Sequence, residues 1–166
     1  NKLLIMDNIE QGREDLLKWQ KEIRKNIFLE NPDFQHSIQY YFPGDYPQLS
    51  KALTNFGGIV VEKIEPLVME NDYRLNLPRL EKYSGIGEYR DEIVHHPNYI
   101  KAGNIIYGSG MMKLADIPGK LLESLSYFFL SSHGGEAGHN CPAACTAGIL
   151  RVFRNSPDSP LRKNIG

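Results

Sequence analysis

Apolar side chains recur along this chain at the spacing of helices. In "YPQLSKALTNFGGIVVEKIEPLV", residues 46–68, Leu49, Leu53, Phe56, Val60, Ile64 and Leu67 fall at offsets of 0, 4, 7, 11, 15 and 18. No strand produces that spacing; it is one stripe of an amphipathic helix. Gly57 and Gly58 interrupt the stripe, each costing about 1 kcal/mol relative to alanine, and twin glycines in mid-helix imply a kink or a very close neighbour. Upstream, "GREDLLKWQKEIRKNIFLEN", residues 12–31, places Leu16, Trp19 or Gln20, Ile23 and Ile27 on a second stripe, which Asn31-Pro32 should end. A short helical turn in "DFQHSIQYYF" follows, before "PGDYP" breaks the chain again.

From Asn71 to Pro97 the period is lost. "NDYRLNLPRLEKYSGIGEYRDEIVHHP" reads as a long, polar, ordered connection, of a length that is uncommon unless functional or covered by another domain. Helix resumes at Pro97, which suits a first turn. Gly103, Gly108 and Gly110 leave a smooth side there for close packing. In "DIPGKLLESLSYFFLSSH" Asp116 can cap a further helix and Pro118 fits its first turn. Leu121, Leu122, Leu125, Phe128 and Phe129 supply its wide apolar face. Another helix is expected from Cys141 or Pro142 to Arg154, and "SPLRKNIG" begins a last one. No long segment alternates with period 2, so no sheet is expected. The fold class is all-α: a bundle of about five to six helices with one long ordered loop.

Composition changes this picture little. With 166 residues, 41% hydrophobic and 23% charged, the chain suits one globular domain. A net charge of -1 gives no reason to propose nucleic acid or a membrane surface as partner. No apolar run approaches the roughly 20 residues that span a bilayer. Two cysteines are not a disulfide framework, and a cytoplasmic setting is expected. The start at Asn1 without methionine and the end on "LRKNIG" suggest a piece of something longer: one helical domain over residues 1–166 of a larger protein.

The densest chemistry lies in "SSHGGEAGHNCPAAC", residues 131–145. His133, Glu136, His139, Cys141 and Cys145 are all ligand types, but closed zinc sites draw on pairs from two places in the chain, and the only other cluster is His95-His96. His133-x-x-Glu136-x-x-His139 also misses the helical i, i+4 histidine pair of zinc hydrolases. No metal is expected. Cys141 and Cys145 lack the C-x-x-C redox spacing. "GIG" and "GSG", at 85–87 and 108–110, lack the dinucleotide pattern and its preceding strand. His96, before Pro97, reads as a helix cap or surface contact. Around Cys145 the residues Ala143, Ala144, Thr146, Ala147 and Gly148 are all small, which leaves room for a packed helix or for a flat or chain-like ligand.

"YRDEIVHHPNYIKAGNIIYGSGMM", then "LLESLSYFFLSSHGGEAGHNCPAACTAGILRVF", then "LRKNIG" resemble, in that order, the amino-terminal helical domain of acyl-CoA dehydrogenases over about residues 40–166. "EAGHNCP" with Thr146 and "DEIVHHPNY" are most similar to the adaptive-response branch of that family, which includes bacterial flavoproteins linked to alkylation damage. The resemblance implies an oxidoreductase of fatty acid metabolism in three parts, with a middle β-domain and a carboxy-terminal helical domain absent from this chain. FAD would lie between those absent parts, and the catalytic glutamate would sit in the last. It therefore implies no catalytic residue here and an inactive chain in isolation. Cys145, Thr146 and Ile149, with Phe153 one turn on, would wall the acyl-CoA pocket, small residues deepening it and Ile149, Leu150 and Phe153 closing it. Ordinary short- and medium-chain members carry polar residues there more often, and Cys141-Pro142 also departs from the commoner pattern. Glu136 is expected to be structural, at a helix cap or partner contact. Implied partners are an acyl-CoA substrate, electron-transfer flavoprotein or another acceptor, and further copies in a homo-oligomer. The alternatives are a non-catalytic helical interaction module, or an adaptive-response relative binding nucleic acid through its missing parts.

Overall fold

The structure is a computed structural model that describes residues 2–155, with side chains from residue 9 onward. The expected "SPLRKNIG" helix lies outside the described residues. The fold is mostly helical: α1 Lys2–Ile23, α2 Pro32–Tyr41, α3 Tyr46–Ile59, α4 Glu65–Asn71, α5 Pro97–Gly108, α6 Met111–Asp116, α7 Leu121–Gly134 and α8 Ala137–Asn155. That is more helices than the five or six expected, several of them short. One two-stranded sheet, β1 Arg79–Tyr83 with β2 Tyr89–Val94, also corrects the expectation of none. Among the described residues no helix is long and apolar enough to cross a membrane.

The stripe over residues 46–68 becomes the spine of the core. Leu49, Leu53, Phe56, Val60 and Ile64 are all buried, and Phe28, Ile38, Ile106, Met111 and Leu130 close around them. The spine runs through α3, one π-helical turn at Val60–Ile64, and α4. Gly57 answers the question its position raised. A Cβ there would stand 2.8 Å from Asn26 Oδ1 and 3.1 Å from the Phe28 nitrogen. Asn26 uses that closeness: its Oδ1 accepts from the Phe28 and Leu29 amides, and its Nδ2 donates to the Thr54 carbonyl at 2.7 Å. The twin glycines mark a close neighbour. Gly134 admits α7 to the π-turn in the same way, since its Cβ would meet Val60 Cγ1 at 2.8 Å.

Helix α1 ends at Ile23, eight residues short of Asn31-Pro32. That dipeptide starts α2, with the Asn31 side chain accepting from the Phe34 amide at 2.9 Å and Pro32 in the first turn. The α1 stripe of Leu16, Trp19 and Ile23 is exposed. Among the described residues no partner covers it.

The long connection holds a hairpin. Leu80 pairs with Ile93 and Tyr83 with Tyr89, with a bulge between Glu81 and Tyr83. Gly87, at φ +83°, turns the loop so that its amide reaches the Ser84 carbonyl at 2.9 Å. Nearly every strand residue is exposed, so no burial forces an alternation into the sequence.

Helix α7 departs most from its pattern. Glu123, Ser124, Ser126 and Ser131 are the buried residues, together with Leu130, whereas Leu122, Leu125 and Phe129 are exposed. The inward polar groups are satisfied at short range. Ser124 Oγ donates to the Met111 carbonyl at 2.8 Å, Ser126 Oγ to the Leu122 carbonyl at 2.8 Å, and Ser131 Oγ to Asn140 Oδ1 at 2.8 Å. Glu123 pairs with Lys120, whose ammonium is held above the usual lysine range by that hydrogen bond. Asp116 does not cap α7; it ends α6 and accepts from Arg154 at 2.8 Å.

Candidate functional site

Leu125, on the exposed face of α7, borders a groove of about 230 Å³ between α6, α7 and α8. Met111 and Met112 close it from α6, and Leu121, Leu125 and Phe128 from α7. The third wall is α8, where Ala143, Ala144, Ala147 and Gly148 stand at i, i+1, i+4 and i+5. Their small side chains create the room that the sequence implied. Arg151, one turn on, is the one charged side chain among the described lining residues. A second apolar hollow of about 190 Å³ lies on the other side of Leu125, where Phe34, Ile38 and Tyr41 of α2 face Leu122 and Phe129.

The volume sits just under the roughly 300–1,000 Å³ of small-molecule pockets. The lining suits a slender hydrocarbon and does not fit a flavin. A dinucleotide needs several donors for its pyrophosphate, and among the described lining residues Arg151 is the only cation while the Ser124 hydroxyl is already spent on a carbonyl. No chemistry through FAD is assigned to these residues.

Cys145, Thr146, Ile149 and Phe153 lie on the opposite side of α8 from this groove, as the 3.6-residue period requires. Cys145 and Thr146 are exposed, Ile149 is 52% exposed and Phe153 is half-buried. The Thr146 hydroxyl donates to the Pro142 carbonyl at 2.8 Å. The four line up along one face, of which Phe153 alone is partly covered by the described residues. Cys141 and Cys145 are free and exposed.

The chain was compared with family models, with curated proteins and with solved structures. It matches none of them. What the groove takes is therefore read from its lining.

A second constellation sits where α8 begins. His95, Tyr99 and His139 stack, with ring centroids 4.2 and 4.1 Å apart. Glu136 caps α8: its carboxylate accepts from the Gly138 amide at 2.9 Å and its carbonyl from Asn140 at 3.2 Å. The structural role expected of it is what these bonds describe. His96 likewise caps α5, its Nδ1 accepting from the Asn98 amide at 3.3 Å. His133 turns outward, with Nδ1 2.9 Å from the Phe129 carbonyl oxygen. Among the described residues no three His, Cys, Asp or Glu side chains gather closely enough to hold a metal ion. Sequence reasoning treated His95 and His139 apart. Gly103 was the available signal, because its missing side chain is what lets the His139 ring reach α5.

Proposed function

We propose that this chain is the amino-terminal helical part of an FAD-dependent oxidoreductase of the acyl-CoA dehydrogenase type, and that it contributes a wall of the acyl pocket. The supporting observation is the groove between α6, α7 and α8: narrow, apolar, floored by alanines and glycine, and bordered by one cation. An acyl chain gains about 25 cal/mol for each Å² of apolar surface withdrawn from water, and small residues on α8 make that withdrawal possible without a clash. Such a chain would lie along α8 with its polar head toward Arg151. In this reading Ile149 and Phe153, on the outer side of α8, meet the remainder of the longer protein.

When bound, FAD supplies the hydride acceptor, and the missing parts hold it. The residues here exclude water and set how long a chain fits. The test is made on the full-length protein. It should purify yellow, and anaerobic addition of a fatty acyl-CoA should bleach the flavin; a colourless protein that takes up no added flavin overturns the reading. Ala147→Leu should then shift the preferred acyl length downward.

A second reading, a non-catalytic helical interaction module, is favoured by one observation. Helix α1 presents Leu16, Trp19 and Ile23 to solvent. A full-length protein that is flavin-free and binds a partner in a manner abolished by Trp19→Ala would select it.

A further inference from the structure

We propose that His139 is an acid-released pin: as a neutral ring it fixes the first turn of α8 against α5, and on taking up a proton it leaves that seat and the turn opens. The seat is built from both helices. The ring keeps only 4% of its side-chain surface exposed and lies against the Tyr99 ring, whose other face carries His95. Tyr107 of α5 approaches edge-on at 5.9 Å, and its hydroxyl donates to the His139 carbonyl at 3.1 Å. At Gly103 the α5 backbone comes so close that a Cβ would stand 2.8 Å from His139 Nε2. An imidazole fits this slot, and little else could move within it.

The polar groups around the ring make the seat sensitive to charge. His139 Nδ1 and Glu136 Oε2 stand 3.2 Å apart, yet both are buried and neither makes a hydrogen bond of proper geometry. His95 Nδ1, beyond Tyr99, is a third buried atom without a partner. The titratable groups facing the ring are thus Glu136 from its own turn, Tyr99 and Tyr107 from α5, and His95 from the segment entering α5. Burial pushes the His139 ring below the ordinary histidine range and His95 acts in the same direction, while Glu136 and the Tyr99 backbone oppose them. The unfolded chain takes the proton near pH 6.5, whereas the folded chain takes it only at lower pH. The pin's contribution is therefore complete above about pH 6.5 and is lost as the pH falls through the lowered value. Ala143, one turn further along the same face, is both core and groove wall, so release of the first turn reaches the groove whatever ligand it takes.

Hydrogen exchange on the chain as it stands tests this, by comparing protection factors of the amides of His139, Asn140, Cys141 and Ala143 between pH 7.5 and 5.5. Protection should fall by up to about tenfold per pH unit below about 6.5, the limit for linkage to one proton. His139→Gln should remove that dependence. Protection that holds or rises on acidification overturns the pin, as does a His139→Gln chain with the native pH dependence. If His139→Gln does not fold, ring NMR of the native chain decides. A His139 ring still mostly neutral at about pH 6.5, where a free histidine is half charged, supports the proposal, and a ring titrating at or above that pH overturns it.

Discussion

Two helical segments with equally clear apolar stripes meet opposite fates in this fold. In the α3–α4 spine the stripe faces inward, and Leu53, Val60 and Ile64 lose all contact with solvent. In α7 the leucines at 122 and 125 and Phe129 face outward, while serines and Glu123 go in. A period states that a helix has a face; it does not state which neighbour takes it. The spine is surrounded by α2, α5 and α7 and has only one way to turn. Helix α7 can bury serines because each hydroxyl reaches a backbone carbonyl or Asn140, so little is lost by placing them inside. Its outward face is left to border the groove at Leu125 and the second hollow at Leu122 and Phe129.

The largest effect that tests this contrast is a pair of truncations. Ile64→Ala on the spine removes a fully buried side chain and should cost about 2–5 kcal/mol in urea unfolding. Leu125→Ala on α7 should cost much less, about 1 kcal/mol or below, because its side chain is 43% exposed. Equal losses would mean that the two stripes are buried alike.

Next in size is Gly57→Ala. Helix propensity alone predicts a gain of about 1 kcal/mol. The new methyl, however, would press on Asn26 and on the backbone of Phe28, which cannot swing away, so a net loss of about 1–3 kcal/mol is expected. Gly108→Ala is the control, since nothing lies within 4 Å of its Cβ position, and it should be neutral or slightly stabilising. The melting temperature of the Gly57 variant should fall, and that of the Gly108 variant should hold or rise.

These contrasts show where the sequence was legible. The stripe from Leu49 to Ile64, the close neighbour at Gly57, the start of α5 at Pro97 and the room beside Ala143 and Ala147 were readable, because each is fixed by local periodicity or by the absence of a side chain. The hairpin was not, since Arg79–Tyr83 and Tyr89–Val94 expose both faces and alternate nothing. The end of α1 was not, because among the described residues no partner covers its stripe to set its length. The seat of His139 was not, because Tyr99 and Gly103 reach it from α5, more than thirty positions away. As for the groove, the small residues were visible, but the side of α8 that faces α7 depends on how the helix rolls. The structure puts Ala143 and Ala147 on that side and Cys145 and Ile149 on the other.

A smaller effect is expected inside α7. Ser124→Ala leaves the Met111 carbonyl without its donor in a buried place, which should cost about 1–2 kcal/mol. Ser132→Ala removes a similar bond, from Ser132 Oγ to the Phe128 carbonyl at 2.8 Å, on the exposed side, where water replaces it; the change should stay within about 0.5 kcal/mol. A Ser124 variant as stable as the native chain would show that the inward serines do not hold α7 in its inverted roll.

The smallest change in stability should accompany the largest change in binding. Leu122→Gln with Leu125→Gln replaces two half-exposed side chains by polar ones of similar length, and unfolding should shift by no more than about 0.5–1 kcal/mol. If the outward face of α7 exists to border a ligand, the same pair should sharply weaken the uptake of an apolar fluorescent probe or fatty acid by the chain. Arg151→Gln, which leaves the hydrocarbon wall intact, should weaken a fatty acid and spare a neutral probe. Should both double-glutamine and native chains bind the probe equally, neither the groove beside Leu125 nor the hollow beside Leu122 holds it, and the outward face of α7 belongs to a protein surface instead.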